Sequence, residues 1–428
     1  MRCDLMHPAD QLVLMMNRIY YRGMTTTSGG NLSVKDENGD LWITPSGIDK
    51  GMLTRDDINR VTPDGTITGR HKPSSEYPFH MSVYQRRPDI KAVLHAHSPA
   101  LVAFSIVRQL PEINLIPTAR LICGNLTIAP YAIPGSQLLG QKIAAEFDKG
   151  YSVVMLENHG VVIGAKDIFT AFMAFETLET LARLHINALR IGTPKPLSSE
   201  IIEASAKREA DMPGFDPVYH SSAENAMRRD LVKFIRRSYG QSLFTSTQGT
   251  YSARVDENSF VITPYGLDRE YLEEEDLVLV QAGQKERGKS PSRSVRLHEE
   301  IYAQHPDIQS ILIAHPPHVM AFAVTDAVFD PRTIPESYIL LREPVKVPFG
   351  VSYRQPKKTA AMISPRTPML ICENDCVLVT GASLMNAFDR LEVAEFTAKS
   401  IIASKTLGDI VHIRDHEIDD INAAFRLK

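Results

Sequence analysis

The chain states one pattern twice, and this constrains its fold more than any single residue does. The segment ITPSGIDKGMLTRDDI, beginning at Ile43, returns as ITPYGLDREYLEEEDL at Ile262, 219 residues later. RRPDIKAVLHAHSPALVAFSIV returns as QHPDIQSILIAHPPHVMAFAVT, with Pro88 and Pro306 separated by 218. VVMLENHGVVIGA pairs with MLICENDCVLVTG, with Glu157 and Glu373 separated by 216. Three blocks in one order at nearly one offset mean two copies of a single domain. With 428 residues, each copy has ample length to bury a core of its own. The prolines and small polar residues of TPKPLSSE and DMPGFDPVYHS flank a short charged helix expected from Ser198 to Asp211. The expected domains are therefore 1–212 and 222–428, joined by a linker at 213–221.

Composition narrows the function classes. A net charge of −4, with no long run of either sign, gives no basis for a nucleic-acid partner. The 43% hydrophobic and 23% charged content is that of a folded globular chain. Four cysteines, Cys3, Cys123, Cys372 and Cys376, are too few to staple a chain of this size, so reduced thiols are expected. The opening MRCDLMHPADQ lacks the apolar core of a signal peptide, and no apolar run approaches a membrane span. By elimination the expected compartment is the cytoplasm, with no membrane partner.

Within the first copy, apolar periodicity predicts helices at Ala9–Tyr21, Tyr77–Arg86 and Ile168–Leu189. NLSVKD, LWITPS and AVLHAH read as strands, and VVMLENHGVVIGA as strand, tight turn, strand. The mixture indicates an α/β domain. In a strand, residues i and i+2 share a face, so His95 and His97 direct both imidazoles one way. His159 in ENHG is a third candidate ligand, and the glycine that follows lets the backbone turn close to whatever the ring holds. Three nitrogen donors with an open position suit a catalytic zinc. The alternative is a pair of half-buried histidines bonded to backbone or water. In HKPSSEYPFH, Ser74, Ser75 and the free N–H groups of the next helix suit an anion, or simply an N-cap. SGGNLS, with Gly29 and Asn31, and TPSG, with Ser46 and Gly47, are further candidate cradles, each also a common turn.

GGNLS, ITPSGI, KPSSE, HAH and ENHG in this order resemble the class II aldolase and adducin superfamily. The resemblance spans the first copy and, through the repeat, the second with weaker motifs. It implies a class II aldolase-like α/β/α domain, present twice in tandem, and His95, His97 and His159 as ligands of a divalent metal, zinc first, with manganese or cobalt as alternatives. It implies Glu76 as the general acid/base, and Gly29, Asn31, Ser46, Gly47, Ser74 and Ser75 as the places that grip a substrate phosphate. The expected function is that of a metal-dependent lyase cleaving a carbon–carbon bond in a phosphorylated ketose or sugar acid through a metal-stabilised enediolate. A 4-epimerase or decarboxylase of the same superfamily is the enzymatic alternative, and a non-catalytic adducin-like binding module the other. Glutamate at 76 favours the aldolase branch over the 4-epimerases, which resemble it with aspartate there. INLIPTAR, near residue 115, lacks the tyrosine found in fuculose-phosphate aldolases.

In the second copy His97 maps to His315, but His95 maps to Ile313, Glu76 to Ser294, His159 to Asp375, Ser75 to Arg293 and Ser46 to Tyr265. The chemistry is therefore expected in the first copy alone. A family whose sites lie near subunit interfaces implies a homo-oligomer, here a dimer forming a pseudo-four-fold ring of domains.

Overall fold

A computed structural model describes residues 5–206 and 212–427. Cys3 and residues 207–211 of the expected Ser198–Asp211 helix lie outside the described residues. The chain divides into two compact units, Met1–Asn114 with Thr118–Arg183, and Leu115–Pro117 with Leu184–Lys428.

The first unit opens with α1 (Pro8–Tyr21). Its Pro8 suits a first turn whose N–H groups have no helical partner, and the His7 ring accepts from the Ala9 N–H. Leu12, Met15, Met16 and Ile19, three or four residues apart, form its buried stripe. Then follow β1 (Asn31–Lys35), β2 (Leu41–Ile43), β3 (Asn59–Val61), β4 (Ile67–Thr68), α2 (Tyr77–Arg86), β5 (Ala92–Ala96), α3 (Pro99–Ile106), α4 (Pro117–Cys123), β6 (Leu126–Ala129), α5 (Gln137–Asp148), β7 (Val153–Leu156), β8 (Val161–Ala165) and α6 (Ile168–Ile191). The strands form one sheet in the order β4-β3-β2-β1-β5-β8-β7-β6, antiparallel except for β6 against β7.

Register decides which residues meet. Asn31 pairs with His95 and Ser33 with Val93 across β1 and β5, while His95 pairs with Val162 of β8. Alternation then puts Ser33, Val93 and Val162 on the face covered by α2 and α5, where Phe79, Val83, Ile143 and Phe147 complete a buried cluster. Burying one such side chain contributes about 1.5–3 kcal/mol.

The second unit contains α7 (Ser199–Ala206), β9 (Gly214–Phe215), α8 (Ser222–Gly240), β10 (Thr250–Asp256), β11 (Ser259–Ile262), β12 (Val278–Gln281), β13 (Gln284–Glu286), α9 (Val295–Gln304), β14 (Ser310–Ala314), α10 (Val319–Ala323), α11 (Pro335–Leu341), β15 (Val345–Val347), α12 (Val351–Arg354), α13 (Pro356–Ala360), β16 (Met369–Cys372), β17 (Cys376–Gly381), α14 (Leu384–Ser404) and α15 (Asp415–Ala424). Its sheet order, β15-β16-β17-β14-β10-β11-β12-β13-β9, repeats that of the first unit strand for strand from β6 to β4 and adds β9 at the edge.

Two boundaries differ from expectation. The division falls inside α6, between Arg183 and Leu184, because this 24-residue helix continues without a break past the last strand of the first repeat. Residues 213–221 are not a free linker. β9 pairs in parallel with β13, and Arg287 N–H donates to Phe215 O, satisfying groups that an edge strand would otherwise leave open.

The repeat extends to buried polar detail. Ser33 Oγ lies 2.6 Å from His80 Nδ1 and 2.8 Å from Tyr84 Oη. Ser252 Oγ lies 2.7 Å from His298 Nδ1 and 2.8 Å from Tyr302 Oη. Burial pushes the His298 imidazole down to about 3, far below the usual 6.5. Once unfolded, this ring takes a proton below about pH 6.5, whereas the folded protein refuses it until about pH 3, so its contribution to stability is lost as pH falls through that window. The urea midpoint is therefore expected to drop between pH 7 and pH 5, and to drop less in His298→Leu. Equal pH dependence in the two proteins would contradict this.

Candidate active site

Three segments deliver the four site residues. β5 carries His95, and His97 follows one residue beyond the strand. His159 sits in the turn between β7 and β8, where Asn158 takes a left-handed φ of 54° and His159 N–H donates to Ser105 Oγ at 2.7 Å. Glu76 is the N-cap residue of α2. His95 and Glu76 are buried, and His97 and His159 are half-buried.

The three imidazoles converge. Their ligand-capable nitrogens lie within 4.8 Å of one another, and His95 Nε2 is 2.8 Å from His97 Nε2. Among the described residues, this is the group of histidine, cysteine or acidic side chains arranged to hold a metal ion. His95 Nδ1 lies 2.9 Å from Val161 O, and a carbonyl only accepts, so Nδ1 carries a proton and Nε2 is the nitrogen that faces the site. Glu76 Oε2 is 3.2 Å from His95 Nε2, and Oε1 is 3.6 Å from His159 Nε2.

Electrostatics favour neutral His97 and His159 beside an ionised carboxylate, whereas His95 is shifted toward its protonated form. Burial, then the neighbouring His95 and His159, hold the His97 imidazole down to about 3. Burial and His95 hold His159 down to about 4. Burial alone would raise Glu76, but His95, Asn31 and His159 outweigh it and keep the carboxyl well below the usual carboxylate range. Burial works against protonation of His95, but Glu76 and the Val161 carbonyl outweigh it and raise the imidazole above its usual 6.5. Three imidazole nitrogens of borderline softness, with Glu76 Oε1 and His159 Nδ1 buried beside them without hydrogen-bond partners, fit a divalent cation such as zinc.

The remaining sequence-predicted residues gather into two arcs. Pro45 bridges Pro73, and Ser46 N–H donates to Lys72 O, so TPSG and KPSSE lie side by side. Ser46, Gly47 and Ser75 are exposed, while Ser74 is buried and its Oγ accepts from Glu76 N–H. Gly29 lies beside His97, since a Cβ there would fall 3.3 Å from His97 Nδ1. The Asn31 side chain is engaged within the protein: its Nδ2 donates to Glu76 Oε2 at 2.8 Å, and its Oδ1 accepts from His80 Nε2.

One feature was missed in the sequence. Lys50 is buried with Nζ donating to Pro45 O, and burial lowers its ammonium to about 8. In the second unit Arg269 occupies the matching place and donates to four backbone carbonyls, those of Gln248, Gly249, Pro264 and Leu267. The signal was present as Lys50 and Arg269 in the two aligned blocks. Both hold glycine loops in place.

In the second unit these positions are filled by other chemistry. Ile313 lies in β14, Ser294 caps α9, and Asp375 accepts from Ser352 Oγ at 3.0 Å.

A family model described as the class II aldolase and adducin N-terminal domain matches residues 10–186 and 229–402. The chain belongs to this family. The tandem arrangement and the α/β fold of each copy follow. Curated relatives include 3-oxo-tetronate 4-phosphate decarboxylase of Haemophilus influenzae, 32% identical over 41% of this chain and 85% of that protein. L-fuculose phosphate aldolase of Methanocaldococcus jannaschii is 34% identical over 41% of this chain and 93% of its own. 5-deoxy-D-ribulose 1-phosphate aldolase of Bacillus thuringiensis is 34% identical over 46% of this chain and 93% of its own. Among solved structures, an L-fuculose 1-phosphate aldolase is 31% identical, covers 47% of this chain and 95% of its own, and has a TM-score of 0.43. Each relative thus matches about one copy's worth of chain. These relatives are aldolases and decarboxylases, and this chain is a member of that enzyme family.

Gly160 offers a test of the site's packing. A Cβ there would fall 2.5 Å from Ala96 O and 2.7 Å from His97 Cδ2, a space that only glycine leaves open. Gly160→Ala is expected to weaken zinc affinity by about 10- to 100-fold in calorimetric titration while the chain stays folded. Unchanged affinity would show that His97 does not need this contact.

Proposed function

We propose that the first unit is a metal-dependent carbon–carbon lyase acting on a small phosphorylated ketose or sugar acid. The observation that carries this reading is an ionised, buried Glu76 whose two oxygens face His95 and His159 at 3.2 and 3.6 Å, beside the three converging imidazoles. His95, His97 and His159 would hold the divalent ion, zinc in the first instance. When bound, that ion supplies a Lewis acid for the substrate's carbonyl and hydroxyl oxygens.

The chain's own residues do the rest. In a retro-aldol cleavage the carbon next to the carbonyl keeps the electron pair of the broken bond, and the departing fragment's hydroxyl loses its proton as it becomes an aldehyde. Glu76 takes up that proton, directly or through solvent, and returns it to the carbon. In a decarboxylation the pair is left by departing carbon dioxide instead, and Glu76 delivers a solvent-derived proton to the same kind of carbon. The loops at Gly29, Ser46–Gly47 and Ser74–Ser75 would seat the phosphate and fix which carbon faces Glu76. Decarboxylation is kept as the second reading because relatives named for it are as similar as the aldolases. Retention of all three histidines and Glu76 argues against a purely binding role. Homo-oligomerisation is part of the proposal; a monomer that turns over substrate would remove that part.

The test is turnover by the zinc-loaded chain on ketose 1-phosphates and 3-oxo-tetronate 4-phosphate, read as aldehyde or carbon dioxide release. Glu76→Gln is expected to lower kcat by about 10²- to 10⁴-fold with metal content unchanged. Turnover that survives this substitution would exclude Glu76 as the proton carrier.

A further inference from the structure

A chain of buried hydrogen bonds runs from the scaffold to Glu76, and its polarity is determined throughout. Glu76 accepts at Oε2 from Asn31 Nδ2, 2.8 Å away. The Asn31 carbonyl oxygen, which can only accept, lies 2.5 Å from His80 Nε2, so that nitrogen carries the proton. His80 Nδ1 is then the acceptor for Ser33 Oγ–H at 2.6 Å. Tyr84 Oη closes the chain, 2.8 Å from Ser33 Oγ and 3.1 Å from Ser33 O. A flipped Asn31 amide would turn its oxygen toward the carboxylate and its N–H₂ toward another N–H. Asn31 is 4% exposed and His80 is fully buried, so water does not substitute for either link.

The second unit is a comparison built into the same chain. Its Ser252, His298 and Tyr302 repeat Ser33, His80 and Tyr84 at the same distances. Thr250 pairs with Ile313 in the register where Asn31 pairs with His95, and Ser294 stands at the N-cap that Glu76 occupies. Thr250 Oγ1 bonds Ser292 Oγ instead, and His298 Nε2 is buried with no hydrogen-bond partner. The links that serve the fold persist in both units, whereas the link that reaches the carboxylate is present only where the carboxylate is.

We propose that Asn31 and His80 are positioning residues for proton transfer: they fasten Glu76 through Oε2 and leave Oε1 as the oxygen that moves the proton. Oε1 makes no hydrogen bond and faces His159 Nε2 at 3.6 Å. This rests on the reading of Glu76 as the proton-transfer group, and it removes the Asn31 side chain from the set that grips phosphate.

The experiment uses the full chain with Asn31→Thr, the residue nature placed at the matching position, together with the matched pair His80→Leu and His298→Leu. In the zinc-loaded protein, Asn31→Thr is expected to lower kcat about 10- to 100-fold with KM and metal content unchanged. His80→Leu and His298→Leu are expected to shift the unfolding midpoint alike, with kcat falling only in His80→Leu. A crystal structure of metal-free Asn31→Thr is expected to show the Glu76 carboxylate turned from its wild-type position. A raised KM at unchanged kcat would return Asn31 to phosphate binding and overturn the proposal. An equal loss of kcat in His298→Leu would reduce His80 to a fold residue. If no substrate is turned over by the wild type, the functional reading fails on its own, and an undisturbed Glu76 in the metal-free variant would separately overturn the positioning claim.

Discussion

The bond between His95 Nδ1 and the Val161 carbonyl fixes everything else at the site. It joins β5 to β8, holds Nδ1 on the side away from the site, and turns Nε2 into it, 2.8 Å from His97 Nε2 and 3.2 Å from Glu76. Backbone register supplies this bond, so the ligand cluster inherits the rigidity of a fully paired central strand. His159 comes to the same point because β7 and β8 are joined by a turn short enough to keep its imidazole near β5. Metal-site chemistry is thus a consequence of strand order, with little left to the flexibility of loops.

Much of this was legible in the sequence. The repeat disclosed two copies, and the matched sheets repeat eight strands in order. His95 and His97 on one face followed from the period of two, and α2 and the β7–turn–β8 hairpin lie where patterning put them. What was not legible depends on partners distant in sequence. Asn31 read as a member of an anion loop because its neighbours are glycines, yet β1 pairing with β5 commits its amide to Glu76 and His80. Pairing between distant segments also lies outside sequence patterning at 213–221: proline and glycine there suggest loop, and the edge of β13 draws Gly214 and Phe215 into the sheet.

The second unit shows which parts of the design belong to the fold and which to the chemistry. Buried Lys50 and Arg269 both tie glycine loops, and Glu179 and Glu395 both accept from the N–H groups at the start of the helix after the histidine strand. Those features persist in both copies. Ile313, Ser294 and Asp375 stand where the first unit has His95, Glu76 and His159, in a sheet of the same strand order, and Cys376 adds a Cβ where Gly160 makes room for His97. Loss of the site therefore required only side-chain changes on an intact frame.

The most direct test of the claim that one copy carries the chemistry is the number of metal ions held per chain. Elemental mass spectrometry on the full chain, loaded with zinc and freed of excess, is predicted to find one ion per chain, lost in His97→Ala. Two ions per chain, or one that survives this substitution, would contradict the account.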